Sequence, residues 1–152
     1  MVERSEPGSV GVVAGRVVGV LTVALTVVAL LTHQETFYRS VRLVLAGLES
    51  DVGLPVELLF WGDVLLVAAG RYAFSYVLGS LLGVLYDGLD RPGIVFLLIV
   101  VVLIGTVDGV YAALSARNAV VGLGFLLAWL SYVPVFAWLL EDEQTDRGPT
   151  RL

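Results

Sequence analysis

The sequence contains no cysteine and no lysine, and it has a single histidine and a single methionine. The absence of cysteine excludes disulfides, thiolate metal ligands and cysteine nucleophiles, although it leaves the redox compartment open. Without lysine, all side-chain positive charge except that of the histidine comes from nine arginines, against fourteen acidic residues, and the net charge is -5. Because no basic patch is present, we do not expect the chain to bind nucleic acid or anionic lipid.

Charged residues of either sign are scarce, at 15% of the chain, whereas 58% of the residues are hydrophobic and the mean hydropathy is +0.92. These values predict that lipid is the main solvent of the chain. The use of arginine alone, the preference for valine and the acidic excess together resemble the composition of haloarchaeal membrane proteins. A GC-rich bacterial genome would produce a similar pattern.

Four long apolar runs predict an all-α, polytopic integral membrane protein: a bundle of four transmembrane helices in the cell membrane. Between the first two runs lies a segment with apolar residues on one helical side, which predicts an interfacial amphipathic helix. The predicted membrane domain is 10–140, with transmembrane helices at about 10–32, 64–86, 94–114 and 119–140, and the interfacial helix at about 36–49. A polar tail, 1–9, and an acidic, disordered tail, 141–152, flank this domain.

The second apolar run is longer than one crossing requires. From Val56 to Tyr86 a continuous helix would be roughly 46 Å long, against a hydrocarbon core of about 30 Å. We expect one crossing that starts near Val64, preceded by a lead-in segment from Val56 to Asp63. The alternative is a break at Gly70 into two short pieces. In the fourth run, Pro134 predicts a kink.

Four crossings place both termini on one side of the membrane. Arginines near that side outnumber those on the opposite side, which favours cytoplasmic termini by the positive-inside rule. The four on the side of the termini are Arg4, Arg91, Arg147 and Arg151, and the three on the other side are Arg39, Arg42 and Arg117.

Glycines recur at a spacing of four in three of the predicted helices. They are Gly11, Gly15 and Gly19 in the first, Gly79 and Gly83 in the second, and Gly105 and Gly109 in the third. In lipid, small residues on one helical face promote association because they let two backbones approach closely. The pattern therefore predicts close helix packing, either within a homo-oligomer or with a larger membrane complex.

Asp108 interrupts an apolar run and lies one turn from Gly105 and from Ala112, so we expect it to face the interior of the bundle. A lone carboxylate there would cost several kcal/mol, so we expect it to be paired, protonated or hydrated. Arg71 lies at the matching depth in the second helix, and Asp63 competes with Asp108 for it.

The same comparison of depths pairs Arg16, near the start of the first helix, with Asp87, at the end of the second. The two ion pairs could serve only to hold the bundle together. Alternatively, their buried ionisable groups could take part in transport or in a proton relay.

No catalytic residue, metal ligand or cofactor site is predicted. The run that begins at Asp108 and Gly109 resembles the start of the CDP-alcohol phosphatidyltransferase signature. However, Ala113 occupies the arginine position, and Leu126 and Leu130 stand where two later carboxylates belong. Without those ligands a two-metal site cannot form. His33 lies at a helix end in no recognisable motif.

The sequence thus predicts a small, non-enzymatic integral membrane subunit. In this hypothesis, its glycine-rich helix faces pack with copies of itself or with a larger membrane complex. The alternative is a subunit of a channel or transporter for a small solute or an ion such as the proton, which would act as an oligomer because four short helices cannot enclose a pathway alone.

Overall fold

A computed structural model describes residues 7–47 and 55–146, and this part of the chain is all-helical. Its helices are α1 (Pro7–Thr32), α2 (Gln34–Gly47), α3 (Val56–Gly88), α4 (Ile94–Ala116), α5 (Ala119–Leu130) and α6 (Tyr132–Asp146). The predicted features at 1–6, 48–54 and 147–152 lie outside the described residues. They include most of the N-terminal tail, the end of the predicted interfacial helix and the last part of the acidic tail.

Four helical segments are long and apolar enough to cross a membrane. They are Gly8–Thr32, Val56–Gly88, Ile94–Ala116 and Ala119–Glu141. The all-helical fold expected from the sequence is therefore confirmed. The four segments fit a multi-pass membrane protein.

The long second segment is one uninterrupted helix, α3, of 33 residues. It passes through Gly70 without a break, and the predicted lead-in segment is its first two turns. At 1.5 Å per residue α3 is about 50 Å long, so it exceeds the thickness of a hydrocarbon core. Its first turns pack against α2, where the buried Phe60 ring makes edge-to-face contacts with Phe37 and Tyr38.

The fourth segment is divided at Ser131 into α5 and α6. Pro134 follows three residues later, and because proline has no N–H, it cannot donate the helical hydrogen bond to the Leu130 carbonyl. The backbone N–H groups of Ser131 and Val135 still bond to carbonyls four residues earlier, so the chain continues in the same general course. α6 extends to Asp146, beyond the predicted helix end at Leu140.

The bundle consists of two closely packed helix pairs, α1 with α3 and α4 with α5, and α1 joins them through contacts with α5 and α6. Both pairs are antiparallel. The largest side chains of the core along the junction are aromatic and come from α5 and α6. Trp129, Tyr132 and Phe136 are at most 1% exposed, and Val18 and Val101 are fully buried beside them.

Candidate functional site: an ion pair in a cleft between the helix pairs

The predicted glycine faces lie between helices of the same chain. In the α1–α3 pair, Gly11 and Gly15 face Gly79 so closely that a Cβ atom on Gly79 would lie 2.4 Å from the Cα of Gly15 and 2.7 Å from the Gly11 carbonyl oxygen. A Cβ atom on Gly11 would lie 2.8 Å from the Cα of Gly83. Gly19 packs under the ring of Tyr72. These helices touch backbone to backbone.

The α4–α5 pair also packs closely through glycines. A Cβ atom on Gly109 would lie 2.7 Å from the carbonyl oxygen of Gly122, and one on Gly105 would lie 2.8 Å from the Cβ of Trp129. Gly122 was not among the glycines predicted to pack, and it extends that set. The close packing that the spacing predicts is therefore satisfied inside one chain, and these glycine faces are covered by that packing.

Polar side chains inside the bundle bond mostly to nearby backbone or to each other. The Tyr132 hydroxyl donates to the Gly79 carbonyl at 2.9 Å, so it links α6 to the centre of the α1–α3 contact. The hydroxyls of Thr22 and Ser75 lie 3.3 Å apart across the same contact. Buried polar groups are expected to be satisfied in this way, because an unpaired one loses its hydrogen bonds to water without replacement.

The two helix pairs are joined by an ion pair. The Arg71 guanidinium of α3 donates through Nη1 to one carboxylate oxygen of Asp108 on α4. The other carboxylate oxygen accepts from the indole N–H of Trp129, at 3.0 Å. The guanidinium carbon of Arg71 lies 4.8 Å from the centre of the Phe125 ring, within the range of a cation–π contact. Asp108 is buried, whereas the Arg71 side chain is 18% exposed.

This arrangement brings together the sequence-predicted pair, Arg71 and Asp108. The indole of Trp129 is a third member that was not predicted from the sequence. Both oxygens of the carboxylate are therefore occupied, and a net charge of zero is held in a largely apolar interior. Such a group is less costly than an isolated buried carboxylate, because each charge has both an opposite charge and a hydrogen bond.

The second predicted ion pair is absent, and this prediction is wrong. Arg16 is exposed on α1, where its guanidinium carbon lies 5.7 Å from the centre of the Tyr76 ring. Asp87 lies at the end of α3, more than half exposed, and its nearest cation is Arg91 at 3.7 Å. Asp63 is half-buried near the start of α3 and, among the described residues, makes no salt bridge.

A cleft of about 680 Å³ leads to the ion pair. Arg71 and Asp108 form part of its wall, and most of the remaining lining is apolar. His33 comes from the α1–α2 connection. The other lining residues come from α1, α3, α4 and α5, and are Thr26, Ala29, Leu30, Val67, Gly70, Phe74, Tyr111, Ala112, Ser115, Ala116, Val121 and Phe125.

The positions of these residues show where the cleft lies. On α1 and α4 they belong to the last three turns of the helix, whereas on α3 they lie near its middle, at 67–74, and on α5 they belong to the first two turns. The cleft therefore occupies the end of the bundle near the α1–α2 and α4–α5 connections. His33, at its rim, has Nδ1 within 3.1 Å of the Thr32 hydroxyl and 2.9 Å of the Ala29 carbonyl oxygen.

The cleft also opens sideways, between α3 and α4. Phe74 and Tyr111 line it and are nevertheless 49% and 65% exposed, and α3 and α4 are not one of the closely packed pairs. At the opposite end of the bundle the aromatic core closes the interior. Within the described residues, no group of three or more histidine, aspartate or glutamate side chains is placed to hold a metal ion.

Comparison of the chain with protein-family models, with curated proteins and with solved structures gave no match. A functional assignment must therefore start from the ion pair, the cleft and the outer surface of the bundle.

Proposed function

We propose that this chain is a small, non-enzymatic integral membrane subunit that associates with copies of itself or with a larger membrane complex. The surface that we assign to this association is the outer side of α1 and α3 around Arg16. The observation that carries the proposal is the position of this arginine: it is exposed, it lies in a helix long enough to span the bilayer, and among the described residues it meets an aromatic ring but no carboxylate.

A cation on a lipid-facing surface costs several kcal/mol unless its head reaches the headgroups or meets a counter-charge. Arg16 lies eight residues from Gly8, the start of its candidate span, or about 12 Å along the helix axis. A carboxylate or an array of hydrogen-bond acceptors on a neighbouring subunit would satisfy the guanidinium at that depth. Association through this surface does not require the glycine faces, which pack the helices of each chain against one another.

The test is the size of the assembly after Arg16→Gln, measured by single-molecule photobleaching in liposomes and by native electrophoresis of host membranes. The matched control is Arg91→Gln, which removes an exposed cation from the turn after α3. We expect wild type and the control to form the same assembly and Arg16→Gln to shift it to smaller species. An unchanged assembly in both preparations would contradict the proposal and would indicate that Arg16 reaches the headgroups.

The cleft favours a second candidate function, a subunit of a transporter for a small solute or an ion. It connects one end of the bundle with Asp108, a carboxylate about two turns before the end of α4. Beyond Asp108 the packed aromatic core closes the interior, so the described part of a single chain offers no continuous pathway. Transport would therefore require an oligomer or a change in helix packing. Wild-type flux of protons or cations in liposomes, abolished by Asp108→Asn, would support this function, and wild-type liposomes that show no such flux would contradict it.

A further inference from the structure

We propose that the cleft binds a lipid-soluble molecule whose head carries an uncharged carbonyl or hydroxyl oxygen. The head would accept hydrogen bonds from Arg71, and the apolar part would lie along the walls between α3 and α4. The inference depends on the cleft alone and not on the assembly proposed above.

The N–H groups of Arg71 that have no acceptor among the described residues indicate that the head of the ligand is a hydrogen-bond acceptor. A guanidinium has five N–H groups. Arg71 uses Nη1 for Asp108, and the described residues offer its other nitrogens no hydrogen-bond acceptor. Because Arg71 lines the cleft and is partly exposed there, these donors are available to a bound molecule. Each carboxylate oxygen already accepts one hydrogen bond, from Arg71 or from Trp129, and Asp108 is less exposed than Arg71. A ligand head that accepts hydrogen bonds therefore fits this site better than one that only donates them.

The charge of the site selects an uncharged head. Asp108 neutralises Arg71, so an anionic ligand would add an uncompensated negative charge beside a buried carboxylate. Like charges at short distance are strongly unfavourable where the dielectric constant is low. A carbonyl or hydroxyl oxygen can accept from Arg71 without that cost.

The apolar walls and the side opening of the cleft favour a ligand whose remaining part is lipid-soluble. Val67, Phe74 and Phe125 contribute apolar surface, and the side opening between α3 and α4 faces the region that lipid would occupy. The volume of about 680 Å³ is within the usual range of small-molecule sites, about 300–1,000 Å³. A molecule already dissolved in the bilayer could enter without crossing water.

Two glycines of α3 provide a matched pair of variants. Gly70 lines the cleft, and a Cβ atom built there meets nothing within 4 Å. The side chain of Gly70→Phe therefore starts in open space and should fill the cleft without disturbing helix packing. Gly62 has the same open surroundings and does not line the cleft, so Gly62→Phe is the control. Both changes replace an exposed glycine in a helix, which does not weaken the helix itself.

The experiment uses bromine quenching of Trp129, whose indole touches Asp108. In a chain with Trp61→Phe and Trp138→Phe, Trp129 is the remaining tryptophan. The probe is the methyl ester of dibrominated stearic acid, titrated into liposomes of unbrominated phosphatidylcholine that contain the full-length chain. Dibrominated stearic acid tests an anionic head on the same acyl chain, and a dibrominated alkane tests a chain without a head. Phosphatidylcholine with brominated acyl chains tests ordinary bilayer lipid as the source of the carbonyl.

We expect saturable quenching by the ester that Gly70→Phe abolishes and Gly62→Phe preserves. Both the acid and the alkane should bind at least about tenfold more weakly, a difference of about 1.4 kcal/mol. In the double variant Arg71→Met with Asp108→Leu, which removes both charges together and so leaves neither unpaired, the ester should bind no better than the alkane.

Three results would overturn the proposal. One is quenching that does not saturate or that is the same in Gly70→Phe and Gly62→Phe. Another is a preference for the acid over the ester. The last is equal quenching by brominated phosphatidylcholine at matched acyl content, which would mean that the cleft contains ordinary bilayer lipid without selection. Circular dichroism of each variant confirms that the helices are intact before the titration is interpreted.

Discussion

Replacing Gly79 with alanine tests the close approach of α1 and α3 with the smallest possible change. The added Cβ would lie 2.4 Å from the Cα of Gly15 and 2.7 Å from the Gly11 carbonyl oxygen. Carbon atoms in contact are normally about 3.5–4.0 Å apart, so the two helices must separate by at least about 1 Å. Both neighbours are backbone atoms, and a change of rotamer therefore cannot relieve the clash.

The expected cost follows from opposing effects. Overpacking against backbone destabilises by about 3 kcal/mol, the upper part of the usual range. Alanine gains about 1 kcal/mol over glycine in helix propensity. We therefore expect Gly79→Ala to lower the free energy of unfolding by about 2 kcal/mol. The matched control is Gly70→Ala in the same helix, where the added Cβ meets nothing within 4 Å and only the propensity gain applies. The two variants should differ by about 3 kcal/mol.

The measurement is reversible unfolding in dodecylmaltoside with increasing mole fractions of dodecyl sulfate, followed by circular dichroism and tryptophan fluorescence. The shift between the two alanine variants is the relevant quantity, because both start from glycine in α3. Equal unfolding midpoints for Gly79→Ala and Gly70→Ala would refute the backbone contact between α1 and α3.

Three further predictions concern the junction of the helix pairs and the topology. Asp108→Asn should lower the free energy of unfolding by about 3 kcal/mol or more, because it leaves the Arg71 cation without its counter-charge. Adding Arg71→Gln should recover much of that loss in thermal unfolding, and strictly additive effects of the two changes would contradict direct pairing. Tyr132→Phe removes the hydrogen bond to the Gly79 carbonyl and should cost about 1 kcal/mol in the same micelle assay, so an unchanged midpoint would show that this bond adds no net stability. Reporter fusions should locate both chain ends on one side of the membrane, and opposite locations would contradict the four crossings.

Matching the depths of residues in their predicted helices was enough to pair Arg71 with Asp108, but the same comparison wrongly paired Arg16 with Asp87. Equal depth makes contact possible only when both side chains lie on the faces that pack together. Arg16 follows Gly15 directly and therefore lies beside the packed face of α1, where its guanidinium meets Tyr76. Asp87 lies at the exposed end of α3.

The glycine spacing predicted close packing but could not identify the partner helix. A small-residue face looks the same in sequence whether it meets a neighbouring helix of its own chain or another subunit. The hydrogen bond from the Trp129 indole to Asp108 could not be predicted from a local sequence pattern either, because the two residues are 21 positions apart on different helices. The cleft was also beyond sequence reasoning, since it exists where α3 and α4 fail to pack, and a missing contact has no sequence pattern.

The pairing of α1 with α3 and of α4 with α5 has a consequence for biosynthesis. Each pair is a helical hairpin in chain order, so the first can close its backbone contacts before the second has left the ribosome. During that interval Arg71 lacks Asp108, and Gly79 lacks the Tyr132 hydroxyl. The first hairpin alone therefore carries an uncompensated charge that the second removes on docking. A chain that ends after α3 should accordingly be degraded faster than the full-length chain, because its Arg71 lacks a counter-charge.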